Sequence, residues 1–348
     1  MNWIRRDVLR LAIFCAIALA AWQAAAQEPR PSSLPSGRSL LLVANKGENT
    51  LAVVDPETRQ VLGRAPTGVR PHSVAASDDG RLAFVANYGS DSGYGAVGSI
   101  SVIDLETHRE LRRVDIGPNS RPHGVMFAGG KVYFTADGYK MIGCYDPAGD
   151  RMEWMLGIGQ DRAETIVLSK DQNLIFSSNN ASESVTIMER SSNPSNPSDW
   201  KLTVLHVGDQ PQGIDLSPDG REVWVSNEGD DIVSVIDVAA RRVGDMFRVQ
   251  TESSSRLKFT PDGRRVVLTD RDRGQLVVLD AATRTVIRRI PGLGNRVTDV
   301  LVTPDGKWAY ASAQNDHGVA VVDLEKMEFA GQIATGADPE GVAWAEVR

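Results

Sequence analysis

Two of the five histidines in this 348-residue chain stand in nearly the same phrase. RPHSVAAS begins at Arg70 and RPHGVMFA at Arg121, so His72 and His123 each follow an Arg-Pro pair. Imidazole can move protons near neutral pH, and as the neutral ring it also ligates metals. An arginine two residues earlier offers a fork of donors that matches carboxylate or phosphate oxygens. Three chemistries are therefore open at these positions: acid and base catalysis by His72 and His123, coordination of a divalent metal, and capture of an anion.

Whether the two phrases act together depends on the elements that carry them. Beyond the first 26 residues the chain repeats, and the repeat decides the fold. A strand ending in VAN or a variant closes at Asn45, Asn87, Asp137, Asn179, Asn227, Asp270 and Ala313. A strand ending in VID or a variant closes at Asp55, Asp104, Asp146, Glu189, Asp237, Asp280 and Asp323, which gives the same count independently. Four short strands in a unit of about 40 to 45 residues is the spacing of β-propeller blades. LAFVAN, EVWVSN and RVVLTD are rich in β-branched and aromatic residues, as packed strands require, and SPDG or TPDG turns at residues 217, 260 and 303 punctuate hairpins.

The predicted fold is all-β, a seven-bladed β-propeller of four-stranded blades. GRSLLLVAN near the start reads as a second strand, and DPEGVAWAEVR at the end reads as a first strand without successors. Blade 1 is therefore expected to be closed by the N- and C-terminal strands, which leaves no open ring edge. The phrases SPDGREVWVSN, DDIVSVIDVAARRV and GRLAFVAN resemble the YVTN-type propeller repeat of exported prokaryotic proteins, the YncE-like group, over residues 37–348. The resemblance implies a propeller that serves as a binding surface, and it leaves the activity open.

Residues 1–26 read as a signal peptide, with a basic start, an apolar run from Leu11 to Trp22, and Ala24 and Ala26 before the cut. Arg5-Arg6 followed by Val8-Leu9-Arg10 resembles the twin-arginine export motif. The expected location is periplasmic or secreted, with no stable membrane anchor after cleavage. Residues 27–36 form a Pro/Ser-rich linker. Cys144 is the one cysteine left after cleavage and is expected to be a buried apolar residue rather than half of a disulfide. The formal charge of -7 argues against general nucleic-acid binding, which needs clustered Lys and Arg. The chain has no Cys-x-x-Cys-His phrase, so it cannot carry a covalent haem c.

Aligning the inner strands places one residue per blade at the channel mouth: Glu340, His72, His123, Glu164, Gln212, Ser255 and Thr298 for blades 1 to 7. Two positions earlier stand Asp338, Arg70, Arg121, Arg162, Gln210, Ser253 and Arg296. Blades 1 to 4 supply ionisable groups at the mouth and blades 5 to 7 supply neutral ones. The expected ligand site therefore joins Arg70, His72, Arg121, His123, Arg162, Glu164, Gln212 and Glu340. Its ligand would be an anionic small molecule or an acidic peptide terminus, bound by a binding module rather than a nucleic-acid partner. His72, His123, Glu164 and Glu340 would instead hold a divalent metal if they converge.

A hydrolase or lyase using His72 and His123, and a silent scaffold or redox-partner protein, are the other readings of the same residues. In the simplest view the mouth side chains only bind channel water. Asp137 and Asp270 would add acidity to the mouth, whereas Asn45, Asn87, Asn179 and Asn227 would hold turns, as would the aspartates of the VID column. The insert from Asp91 to Gly98 lengthens a loop beside the histidines, and Ser191 to Trp200 lengthens one on the opposite face.

Overall fold

Each repeat unit is a four-stranded antiparallel sheet, and seven such sheets take up every strand among the described residues. The structure, a computed structural model, describes residues 36–90, 97–191, 196 and 199–348. Middle strands such as Leu82–Asn87 and Ile232–Asp237 are buried along most of their length, because both faces of a blade pack on neighbouring blades. The outer strand Arg242–Arg248 alternates between half-buried and exposed residues, as a rim strand must.

The apolar core lies between blades rather than within them. Phe176 and Ile187 of blade 4 pack on Ile214 and Val225 of blade 5, and Trp224 of blade 5 packs with Leu257 and Leu268 of blade 6. Closure follows the expected route. Ser39–Asn45 pairs antiparallel with Pro339–Glu346, with Ser39 opposite Glu346 and Val43 opposite Val342. Leu41 and Val43 then join Leu301, Tyr310 and Val319 in one cluster, which locks blade 1 onto blade 7.

One column of the repeat shifts. Pro122 pairs with Ala136 as Pro71 pairs with Asn87 and Pro211 with Asn227, so Ala136 rather than Asp137 closes the blade 3 strand. The fully buried Ala136 fills the place that asparagine takes elsewhere, and Asp137 already opens a 3-10 turn. Asn87 and Asn227 behave as turn holders. Asn87 donates to the Ser99 and Ser101 hydroxyls, and Asn227 donates to the Ile232 carbonyl and the Ser234 hydroxyl. The VID-column aspartates cap their own turns, as Asp280 does by accepting from the Ala282 and Thr283 amides.

Two local devices aim the inner strands at the axis. In all seven blades the register slips by one residue just after the first inner-strand pair, for example between Pro71 and Val74 and between Pro211 and Ile214. Such a bulge leaves an extra residue unpaired and turns its side chain away from the ladder. The second device is a hydroxyl one residue before the VAN column. Ser226 accepts the Gly213 amide at 3.1 Å and donates to the Ser255 carbonyl of the next blade at 2.7 Å. Thr135, Ser178, Thr269 and Ser312 make the same interblade bond to the carbonyls of Glu164, Gln212, Thr298 and Glu340. Blades 1 and 2 carry Ala44 and Ala86 at this position instead.

Ser226→Ala removes both bonds and leaves a buried amide and a buried carbonyl unpaired. It is expected to cost about 1–3 kcal/mol, read as a lower urea midpoint with an unchanged slope. An unchanged midpoint would show that the hydroxyl does not hold the two blades together.

Candidate functional site

The bulged residues meet. Glu340, His72, His123, Glu164, Gln212, Ser255 and Thr298 all line one cavity of about 400 Å³ where the inner strands converge. The residues two positions earlier help to aim it: Arg70, Arg121, Arg162, Gln210, Arg296 and Asp338 all have φ between +50° and +60°. Each holds this left-handed turn with its carbonyl, which accepts the amide of the residue just past the VAN-type strand. Tyr88 donates to Arg70 at 3.0 Å and Lys46 to Asp338 at 2.9 Å. Arg70, Arg162, Gln210 and Arg296 thereby reach the cavity. Arg121 does not line it, and its guanidinium lies over the Tyr88 ring, 5.7 Å from the centroid.

Three of the four residues proposed as metal ligands come together, with His123 hydrogen-bonded to Glu164 and His72 against its ring. The His72 and His123 rings stack with centroids 4.4 Å apart. His123 meets Glu164 twice: Nε2 lies 3.0 Å from the carboxylate Oε2, and Nδ1 lies 3.0 Å from the Glu164 backbone carbonyl. Gly124 permits this approach, because a Cβ there would stand 2.6 Å from that carbonyl oxygen. A carbonyl oxygen can only accept, and so can an ionised carboxylate. Both ring nitrogens of His123 therefore face acceptors, and neither is turned toward a metal position.

Glu340, the fourth residue, is taken by Lys46 at 2.6 Å and by Gln314. Among the described residues no group of three or more His, Cys, Asp or Glu side chains is arranged to hold a metal ion.

Burial alone would raise the Glu164 carboxyl. The charge and hydrogen bond of His123, with Arg256 at 3.8 Å and Arg162 at 3.3 Å, outweigh burial and hold it down to about 2. Burial first, then the charges of His123 and Lys46, push His72 well below the ordinary value of 6.5, so at neutral pH the ring is uncharged. Its Nδ1 is enclosed and has no hydrogen-bond partner. Tyr88 covers both rings, at 5.1 Å from His72 and 5.9 Å from His123, while its hydroxyl donates to Asp137 at 2.8 Å.

Neither Asp137 nor Asp270 adds charge to the cavity. Asp137 is held by Tyr88, and Asp270 accepts the amides of Glu252 and Ser253 and the side chain of Gln275. Residues 91–96 of the insert from Asp91 to Gly98 lie outside the described residues, and Val97 and Gly98 begin the next strand. At the end of the other insert Trp200 is buried against Trp154, with centroids 4.8 Å apart, which ties that loop to blade 3.

Lys46, Tyr88, Glu228 and Arg271 also line the cavity, each standing directly after the VAN-type strand, and Arg256 follows Ser255 on the blade 6 bulge. The expected site lacked these five. Position after the strand was the available signal, but a misplaced Asp137 hid the column. The completed lining holds six cations, Lys46, Arg70, Arg162, Arg256, Arg271 and Arg296, against three carboxylates, Glu164, Glu228 and Glu340.

A seven-bladed propeller with a cationic mouth is the class that fold and cavity define. Residues 173–315, within blades 4 to 7, match the family described as Cytochrome D1 heme domain, a stretch that excludes both His72 and His123. The chain superposes on the Pseudomonas aeruginosa periplasmic gluconolactonase PpgL with a TM-score of 0.70 and 16% identity, covering 89% of this chain and 99% of that one. Similar values hold for Kuenenia stuttgartiensis hydrazine synthase: TM-score 0.71, 17% identity, 86% and 97% covered. Dihydro-heme d1 dehydrogenase NirN in complex with DHE gives a TM-score of 0.65 at 17% identity, over 93% of this chain and 78% of that chain. The comparison with curated proteins found no match. At these identities the likeness is one of fold.

Glu164 stabilises the folded state at any pH above its ordinary value of 4.5, and this contribution is lost as pH falls toward 2. Glu164→Gln is expected to lower stability at pH 7 and to flatten the acid limb between those values in urea titrations at stepped pH. Parallel curves for the two proteins would contradict the ion pairing described here.

Proposed function

We propose that the protein is an exported binding module that takes a small polyanion at the mouth of its propeller. The observation that carries this reading is the excess of cations over carboxylates in a cavity of about 400 Å³, within a chain whose formal charge is -7. A concave site lined by one sign of charge focuses its field on ligands of the opposite sign, whatever the charge of the whole protein. Guanidinium groups from blades 2, 4, 6 and 7 surround the space, so one ligand with two or three negative charges can engage several at once. Export is supported by the leader, and the name of the PpgL relative is consistent with a periplasmic setting.

The family match and the NirN likeness raise haem as an alternative ligand. The lining does not suit it. Tyr88 is the one large apolar surface among the cavity residues, while a macrocycle needs apolar walls on both faces. The doubly bonded His123 is turned to Glu164, which leaves the neutral His72 as the one cavity imidazole with a lone pair for an iron.

Calorimetric titration of the mature protein with citrate and with inorganic phosphate at low salt tests the proposal. Binding of at least one anion is expected, together with a loss of tenfold or more in the Arg256→Gln/Arg296→Gln double variant. Absence of binding to both anions, or full affinity in a folded double variant, would overturn the reading.

A further inference from the structure

The charge of the mouth says that its ligand is an anion, but the ring also contains an uncharged arc. Gln212, Ser255 and Thr298 face the cavity from blades 5 to 7. Thr298 is 6% exposed, and its hydroxyl has no hydrogen-bond partner. Opposite this arc stands His72, whose ring lines the same cavity and makes no hydrogen bond among the described residues. Gln212 is already engaged by Glu228 and Arg256, whereas His72 Nδ1 and Thr298 Oγ1 are enclosed with no partner, a costly arrangement that a bound partner relieves.

The partner can be specified. A neutral imidazole has one N–H and one lone pair, and a threonine hydroxyl both donates and accepts. A carboxylate or phosphate oxygen can only accept, and the surrounding arginines and Lys46 already supply donors for it. A hydroxyl is the group that satisfies His72 in either tautomer and Thr298 in either direction.

Resting on the anion-binding reading, we infer that His72 determines specificity: it pairs with a hydroxyl of the ligand, so the mouth takes hydroxylated anions, of the hydroxy-acid or sugar-acid class, ahead of equally charged anions without that hydroxyl. Glu164 acts behind it as a positioning residue. By accepting from both His123 nitrogens it fixes that ring 4.4 Å from His72, and burial, reinforced by the charges of His123 and Lys46, keeps His72 uncharged and able to pair with a hydroxyl. The groups that face His72 are His123 and Glu164 from the following inner strands, Lys46 from blade 1, Arg256 from across the ring, and the Tyr88 ring from its own blade.

Matched pairs of probes decide the matter. Citrate and propane-1,2,3-tricarboxylate differ by one hydroxyl, as do malate and succinate. The wild-type protein is expected to bind the hydroxylated member of at least one pair tenfold or more tightly at pH 7.5. His72→Phe is expected to bring the two affinities together, and His72→Asn, whose amide both donates and accepts, to restore part of the ratio. The ratio should also fall as pH is lowered and His72 takes a proton. If both members of each pair bind equally well to the wild type, the specificity inference is wrong and anion binding stands. If neither member of either pair binds, the inference is wrong, and the anion-binding reading fails with it when inorganic phosphate does not bind either. A preference that survives His72→Phe assigns the selection to another residue and overturns the inference.

Discussion

The site depends on one repeated irregularity, the bulge that interrupts every inner strand one residue after it begins. A regular antiparallel ladder would send alternate side chains into the neighbouring blades, where the rest of the inner strand packs. The extra residue frees one side chain per blade from that alternation and points it at the axis. Seven bulges at matching heights make a ring of seven side chains whose chemistry can vary while the β-scaffold stays constant. In six blades a left-handed residue before the bulge completes the device, because its carbonyl ties the loop past the VAN-type strand, and in four of them its side chain reaches the cavity.

Within this ring the electrostatics are organised around a single carboxylate. Glu164 is buried, yet it remains ionised because His123, Arg162 and Arg256 all converge on it. The two histidines, which look equivalent in sequence, consequently differ. His123 is held through both ring nitrogens by Glu164, and His72 is a neutral ring with an enclosed, unpaired nitrogen. The repeated phrase is thus an example of one residue type given two roles by its surroundings.

The fold was legible because it is written seven times. Strand composition, turn chemistry and spacing each repeat, and the two half-blades at the ends of GRSLLLVAN and DPEGVAWAEVR announced closure. The ring positions were legible for the same reason. What stayed hidden was anything that depends on a single blade or on contact between blades. Asp137 was placed one residue out of column because an alanine had replaced the expected asparagine. Arg256 escaped notice since its counterparts on other bulges include Gly124, Gly213 and Gly341, small residues that advertise nothing. The second hydrogen bond of His123 needs the carbonyl of Glu164, and a backbone oxygen of another blade leaves no mark in sequence.

The interblade hydroxyls have a further meaning for how the mouth is held together. Five consecutive blades, 3 to 7, are laced to their successors through the ring residue's own carbonyl, and the lacing stops where Ala44 and Ala86 replace Ser or Thr. The two carbonyls left unlaced belong to His72 and His123. Interblade hydrogen bonding is therefore unevenly distributed around the circle: the neutral arc is joined through it, while the histidine sector rests on packing and on Glu164. The two blades that carry the repeated Arg-Pro-His phrase are the ones whose ring carbonyls stand outside the lacing.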